Sequence, residues 1–286
     1  MCITVVIPTF NRARLLGRTV PTYIQDGVER LILVDDASTD ETPLAAEHLC
    51  AQFPHIVEYV RNEVNRKQTY SKNRGKAMAT TKYVYFGDDD SLLMPGSTTA
   101  LLETMNRCRA DIVGSAALYC PRGEAPEVRY EEYLRGPCDD APENYVDLRR
   151  LRFHLDQRPL VPLELPVTHA QFLIRREWSQ RFDFDIGYKG NCFREETDFL
   201  LRVHSAGAKI FLDGRAVQIN LPPSLSRGGA RSSRRVRYEW EALRNTARFL
   251  RKHSKYYRMR LDVSPYWSLL WYLRDRAVAA MKKVVR

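Results

Sequence analysis

The chain has 286 residues, 44% of them apolar and 28% charged, with 15 Tyr, 11 Phe and 4 Trp. That is enough to bury the core of one large domain, and it excludes a peptide, a disordered or collagen-like chain and a scaffold that depends on staples. The formal net charge is +10, but residues 227–286 carry 17 Lys and Arg against 4 Asp and Glu, whereas residues 1–226 carry 28 against 31. A mildly acidic body therefore precedes a strongly basic tail, and the charge bears on the partners of the tail rather than of the body.

The six cysteines, Cys2, Cys50, Cys108, Cys120, Cys138 and Cys192, form no CxxC or Cys/His pair at metal-ligand spacing and read as reduced thiols of a cytoplasmic protein. The opening Met-Cys-Ile-Thr-Val-Val-Ile-Pro lacks the basic and long apolar regions of a secretory signal and reads as a first buried strand. No apolar run reaches the roughly 18 to 20 residues of a spanning helix, so any membrane contact is expected to be peripheral.

From the N-terminus, β-rich runs alternate with helical patterns. Residues 3–7, 31–34, 57–61 and 83–86 predict strands, and residues 12–25, 39–53 and 70–80 predict helices. This is the β-α-β rhythm of a parallel sheet. A helix is expected over 97–107 and a strand over 112–117. Residues 121–168 contain seven prolines and predict loops that cover a site rather than a second core. Regular structure resumes with strand 171–174, helix 195–206 stopped by Gly207, and strand 209–212. Each early strand ends in polar residues: Pro8-Thr9-Phe10-Asn11, Asp35-Asp36 and Asp88-Asp89-Asp90. Open α/β sheets bind ligands at those carboxyl ends.

Three stretches could carry chemistry. Asp88-Asp89-Asp90 places three like charges in a row after an apolar strand, where Mg²⁺ or Mn²⁺ would compensate them while holding phosphate oxygens; the competing reading is a solvated acidic turn. In Asp35 to Thr42, Ser38 or Thr39 suits a helix N-cap, but capping does not require Asp35-Asp36, where a carboxylate could accept the imide N–H of uracil or thymine. Arg194-Glu195-Glu196-Thr197-Asp198 opens a helix, where acids are stabilised by roughly 0.3–1 kcal/mol; alternatively, one of these acids takes a proton from an acceptor hydroxyl.

In this order and at this separation, the stretches resemble the inverting nucleotide-sugar glycosyltransferases of family 2. The similarity runs over roughly residues 3–230. It implies a GT-A fold, a Rossmann-like mixed sheet flanked by helices, over residues 1–226, followed by a basic, aromatic-rich helical extension over 227–286. Val5 to Arg12 resembles the opening strand of the family and Leu33 to Asp40 its second nucleotide motif, which implies donor contacts from Pro8, Thr9, Phe10, Arg12 and Asp36. Asn65 to Gly75 resembles the stretch Asn-x-Gly then Ala-Arg-Asn-x-Gly, with Lys67 in place of the first glycine and Lys72 in place of the arginine; the match implies a phosphate contact from Lys72. Asp88-Asp89-Asp90 resembles the DxD element, with Asp90 and Asp88 as metal ligands and Asp88 and Asp89 beside the ribose or diphosphate. Glu195 to Arg202 is similar to Glu-Asp-x-Asp-Leu-x-x-Arg, which makes Glu196 the catalytic base and Glu195 and Asp198 acceptor-side or orienting residues. Where the family often has a histidine ahead of a Gly-Gly pair, this chain has Gln218-Ile219-Asn220 ahead of Gly228-Gly229.

The resemblance implies transfer of a sugar from a UDP-, dTDP- or GDP-linked donor, UDP favoured, with Mg²⁺ or Mn²⁺ as cofactor, to a hydroxyl of a glycan or lipid-linked acceptor in glycan or cell-surface polysaccharide synthesis. Rival readings are a non-catalytic nucleotide-sugar binder and a nucleotidyltransferase, although the latter favours a Gly-rich basic loop after the first strand, where Pro8-Thr9-Phe10-Asn11 stands. The tail interleaves cations with aromatics, as in Tyr256-Tyr257-Arg258 and Tyr266-Trp267. It suits an anionic membrane surface on the cytoplasmic face, packing on the body, or, less well, nucleic acid.

Overall fold

The computed structural model describes residues 2–222, 224–225 and 235–284. The Gly228-Gly229 pair and the boundary expected at 226/227 lie outside the described residues. In chain order the elements are β1 (Ile3–Thr9), α1 (Ala13–Thr19), β2 (Val28–Asp35), α2 (Thr42–Gln52), β3 (Val57–Arg61), α3 (Gln68–Ala77), β4 (Tyr83–Phe86), β5 (Ser91–Leu93), α4 (Ser97–Arg107), β6 (Ile112–Tyr119), α5 (Pro126–Arg135), β7 (Val146–Asp147), β8 (Arg152–Phe153), β9 (Leu163–Glu164), β10 (Phe172–Arg175), α6 (Arg176–Arg181), α7 (Glu195–Ser205), β11 (Ile210–Asn220), α8 (Arg235–Lys252), α9 (Ser254–Arg260) and α10 (Pro265–Val284).

Nine strands form one mixed sheet ordered β3-β2-β1-β4-β10-β6-β11-β5, with β9 paired to β11. The N-terminal four are mutually parallel, and β10 enters antiparallel between β4 and β6. Side chains alternate between the two faces: Val5, Ile7, Tyr83, Tyr85 and Leu173 join one core cluster, while Val6, Val84, Phe86, Phe172 and Ile174 join the other. Both faces are covered, which is why the strands read as continuous apolar runs.

Several element edges differ from the sequence expectation. Helix α1 gives way at Thr19 to a 3₁₀ turn over Val20–Tyr23 that carries Pro21 in its first turn. Helix α2 starts at Thr42, and neither Ser38 nor Thr39 caps it. Instead Asp40 accepts the Thr42 amide at 3.0 Å, and buried Asp35 accepts the Ser38 amide at 2.9 Å. The proline-rich stretch 121–168 contains α5 and short strands and buries Tyr145, Leu155, Leu163 and Leu165 against Leu212, so it carries a small core of its own. Strand β11 runs eight residues past the expected end, to Asn220.

The basic extension packs on the body. Phe249, Leu250, Tyr257 and Tyr272 belong to the same core cluster as Phe86 and Phe199. Asp198 of α7 anchors this contact, with Lys252 Nζ at 2.9 Å, His253 Nε2 at 2.8 Å and Arg202 Nε at 2.9 Å. Trp240, Met259 and Trp267 nevertheless stay exposed, at 65%, 71% and 54%. No helix among the described residues is long and apolar enough to cross a membrane.

Gly75 fixes how closely α3 approaches the sheet, because a Cβ there would lie 2.3 Å from Val6 Cγ1. Gly75→Ala is expected to destabilise the fold by about 1–3 kcal/mol through overpacking. A lowered urea midpoint with an unchanged m-value would show this, and an unchanged midpoint would mean that α3 shifts freely.

Candidate active site

The carboxyl ends of β1, β2 and β4 and the N-terminus of α7 open onto one cavity of about 640 Å³. Pro8, Thr9, Phe10, Arg12, Asp36, Asp88, Asp89, Asp90 and Glu196 line it, so nine of the residues singled out in the sequence meet there. Leu151, Phe153 and Leu155, residues 168–170, residues 190–194, and Asn65, Lys67 and Gln68 add to the walls.

The loop after β4 is clamped by the start of the chain. Tyr23 OH donates to the Asp88 carbonyl at 2.9 Å, and Thr19 Oγ1 donates to that of Asp89 at 3.1 Å. Arg12 reaches Asp89 Oδ1 with Nε at 3.1 Å and Asp90 Oδ2 with Nη2 at 3.2 Å. Burial, with Asp90 and Glu196 adding repulsion, pushes Asp88 up to about 6 against Lys72. Burial likewise takes Asp89 to about 7 against Arg12. Carboxyls crowded to this degree are groups that a divalent cation would ionise, and Asp88 and Asp90 fit a Mg²⁺ or Mn²⁺ that takes one or two carboxylates plus phosphate oxygens and water. Among the described residues no three His, Cys, Asp or Glu side chains converge as a complete metal cage.

Asp36 lines the cavity, but its carboxylate also organises the neighbouring loop. It accepts the amides of Arg66 at 2.8 Å and Lys67 at 2.7 Å and the Asn62 side chain at 2.9 Å. Of roughly four lone-pair sites, about one is left for a ligand. Asp35 has turned inward, where it accepts the Tyr59 hydroxyl at 2.7 Å.

Lys72, expected at the phosphates, is fully buried and does not line the cavity. Its Nζ stands 2.8 Å from Glu195 Oε1 and 2.8 Å from Glu196 Oε1. Gln68 Nε2 adds a hydrogen bond of 2.9 Å to Glu195. Burial and the adjacent Glu196 hold Glu195 well above the usual carboxyl range despite Lys72. For Glu196, burial is outweighed by Lys72 and by the hydrogen bond from Glu195, so its pKa is lowered. Burial opposes the Lys72 charge, but the two glutamates outweigh it and raise its pKa. The outcome is a carboxyl of lowered pKa at the cavity, Glu196, a carboxyl of raised pKa beside it, Glu195, and a lysine between them. Asp198, expected on the acceptor side, faces the α8 junction and not the cavity.

Sequence reasoning missed four cavity residues. His169 lies between Tyr119 OH at 3.1 Å and Gln218 Nε2 at 2.5 Å, and burial takes it down to about 4, leaving a neutral imidazole. Asn191 is held against α8 through its Nδ2, 3.1 Å from the Tyr238 carbonyl. Lys67 and Arg194 both have left-handed backbones, with φ of 73° and 75°. A lysine in the position of a family glycine was the available signal for Lys67, and adjacency to Glu195-Glu196 was the signal for Arg194.

Residues 4–182 match the family described as Glycosyl transferase family 2. Over 118 residues the chain is 27% identical to the GalNAc(5)-diNAcBac-PP-undecaprenol beta-1,3-glucosyltransferase of Campylobacter jejuni, a match covering 41% of this chain and 38% of that one. Over 95 residues it is 28% identical to the putative glycosyltransferase EpsE of Bacillus subtilis, covering 32% and 34%. It thus spans well under half the length of these relatives. Among solved structures, mannosyltransferase PcManGT from Pyrobaculum calidifontis, in complex with GDP-Man and Mn²⁺, superposes with a TM-score of 0.61 at 18% identity, covering 98% of this chain and 75% of that one. GalNAc-T7 with UDP, GalNAc and Mn²⁺ gives a TM-score of 0.60 at 16% identity, covering 78% and 44%. Both share the GT-A fold.

The backbone of Lys67, with φ 73° and ψ 166°, lies in a region that is essentially glycine's. Lys67→Gly is expected to stabilise the fold by about 1 kcal/mol, the relief of roughly 1–3 kcal/mol of strain less the unfolded-state entropy of glycine. A melting temperature that stays level or falls would contradict the strain.

Proposed function

We propose that this chain, which belongs to glycosyl transferase family 2, transfers a sugar from a nucleoside-diphosphate donor to an acceptor hydroxyl with inversion, and that Glu196 is the general base. The observation that carries the assignment is the Lys72-Glu195-Glu196 cluster. It puts one carboxylate at the cavity 2.8 Å from a buried lysine that lowers its pKa, while burial raises that of its neighbour. A base must be ionised at working pH and rigidly aimed, and this arrangement supplies both conditions.

Each remaining residue takes a role from its place. Pro8, Thr9, Phe10 and Asp36 form the nucleoside wall. Asp88 and Asp90 would hold Mg²⁺ or Mn²⁺, which when bound neutralises the diphosphate leaving group; Asp89 and Arg12 stand beside them. Glu196 takes the proton of the acceptor hydroxyl as its oxygen attacks the anomeric carbon from the face opposite the diphosphate. Glu195 and Lys72 position the base, and Asp198 ties its helix to α8.

The donor is a UDP-linked sugar by preference, with dTDP or GDP as alternatives; of the neighbours named above, one holds UDP and another GDP-Man. The acceptor is a glycan or lipid-linked glycan in cell-surface polysaccharide synthesis, in line with the undecaprenol-linked substrate in the name of the Campylobacter relative. Exposed Trp240, Met259 and Trp267 on the basic extension support peripheral attachment to an anionic, cytoplasmic membrane face.

Glu196→Gln is expected to lower kcat by about 10²–10⁴-fold with donor affinity retained, and near-normal turnover would remove Glu196 from the role. Lys72 lowers the Glu196 pKa, so Lys72→Met is expected to move the acid limb of the kcat/KM profile to higher pH. An unmoved limb would mean that the lysine does not set the ionisation of the base. Donor binding in the wild-type chain without transfer or hydrolysis of any UDP-, dTDP- or GDP-sugar would favour the non-catalytic binder.

A further inference from the structure

Two helix N-termini meet beside Glu196, and each begins with a cation. Lys67 precedes α3 and Arg194 precedes α7. Gln68, the first residue of α3, contacts both Glu195 and Glu196 of α7, so the two ends abut. N-termini carry positive partial charge and are usually capped by Ser, Thr, Asp or Asn, so a lysine and an arginine there add like charge to like. Acids do stand near the backbone of both ends, since Asp36 accepts the Lys67 amide at 2.7 Å and Glu195 and Glu196 flank Lys72, but neither the Lys67 nor the Arg194 side chain has a carboxylate partner among the described residues.

Arg194 is a buried cation with one hydrogen-bonding position unfilled. It is 8% exposed and lines the cavity, yet its Nε has no hydrogen-bond partner, and Nη2 donates to the Leu151 carbonyl at 3.2 Å. Its guanidinium lies 4.7 Å from the Phe193 ring and 4.8 Å from the Phe153 ring. Burial takes its pKa down to about 10. An enclosed guanidinium with a buried, unpartnered donor is costly unless a nearby anion compensates the charge. The wall is built firmly, since Asn245 Nδ2 holds Asn191 Oδ1 at 3.2 Å and the Lys189 carbonyl at 2.9 Å.

The donor diphosphate belongs to a different part of the cavity, at Asp88–Asp90 after β4. The contacts of Arg194 come from residues 151–153, Phe193 and α10. We propose that Arg194, assisted by Lys67, forms an acceptor subsite for a phosphate group whose attached apolar or sugar portion rests on Phe153 and Phe193. Two unpaired cations at a helix-dipole focus match the nearly double charge of a phosphate monoester or the paired charges of a diphosphate better than a single carboxylate. This subsite rests on the glycosyl-transfer reading and narrows the acceptor to a phosphorylated one, whether lipid-linked or a water-soluble sugar phosphate.

The test is calorimetric, with the donor site first filled by Mn²⁺ and whichever nucleoside diphosphate binds. Hexyl phosphate, inorganic phosphate and hexanol are then titrated into the wild-type, Arg194→Gln and Lys67→Gly chains. Hexyl phosphate is expected to bind the wild type and to lose about tenfold in affinity in Arg194→Gln and about threefold in Lys67→Gly, with nucleotide affinity unchanged in both. Lys67→Gly keeps the test readable if the arginine variant does not fold, because glycine suits that backbone. Hexyl phosphate binding well above inorganic phosphate supports the subsite with a lipid-type source, and equal binding of the two supports it with a soluble one. Equal hexyl phosphate affinity in all three chains would overturn the subsite, as would hexanol matching hexyl phosphate or a parallel loss of nucleotide affinity in Arg194→Gln. Absence of nucleotide binding in the wild type would count against the glycosyl-transfer reading instead, and the phosphate titrations would still judge the subsite.

Discussion

The site depends on a lysine that water does not reach. Lys72 lies on α3, which Gly75 lets settle against β1, and its ammonium is held between two glutamates on the first turn of α7. Burying a cation is costly, and only close, well-directed anions offset that cost. The cluster therefore fixes more than charge. It sets the relative position of two helices far apart in sequence and shifts two adjacent carboxyls in opposite directions. The α7 dipole favours acid at this end, and burial disfavours two charges there. A single lysine between them resolves the conflict in favour of Glu196.

The first half of the fold was legible because its physics is local. Strands β1, β2 and β4 bury most of their residues and read as apolar runs, and the stretches between them, bounded by turn residues, read as helices. Edges were less legible where a side chain chose a partner away from the expected cap, as Asp35 and Asp40 did. The 121–168 stretch hid its elements because strands of two residues leave no period to detect. For the site, the motifs showed which acids gather at the strand ends, and all of these except the inward-turned Asp35 share one cavity. The surroundings of Lys72 were not legible, since its partners lie 123 and 124 residues away. The left-handed backbones of Lys67 and Arg194 leave no mark in composition.

The basic extension reads in sequence as an appendage, yet it takes part in the body. Asp198 binds Lys252 and His253 across the α7–α8 junction and Arg202 within its own helix, and Asp185 is paired with Arg248 and Lys252. Burial opposes the charge on Asp185, but Lys252, the Gly187 amide and Arg248 hold its carboxyl below the usual range. These ties draw the base of α7 and the apolar rings of α8 to α10 into one packed unit.

Helix α8 also lies so close to the loop before α7 that a Cβ on Gly190 would sit 2.3 Å from the Glu241 carboxyl carbon. One wall of the cavity is thus braced from behind by the last helices of the chain, while the opposite wall is formed by the first strands. If the proposed division of donor and acceptor holds, divergence in the C-terminal helices among related chains would re-shape the acceptor side and leave the donor side as it was.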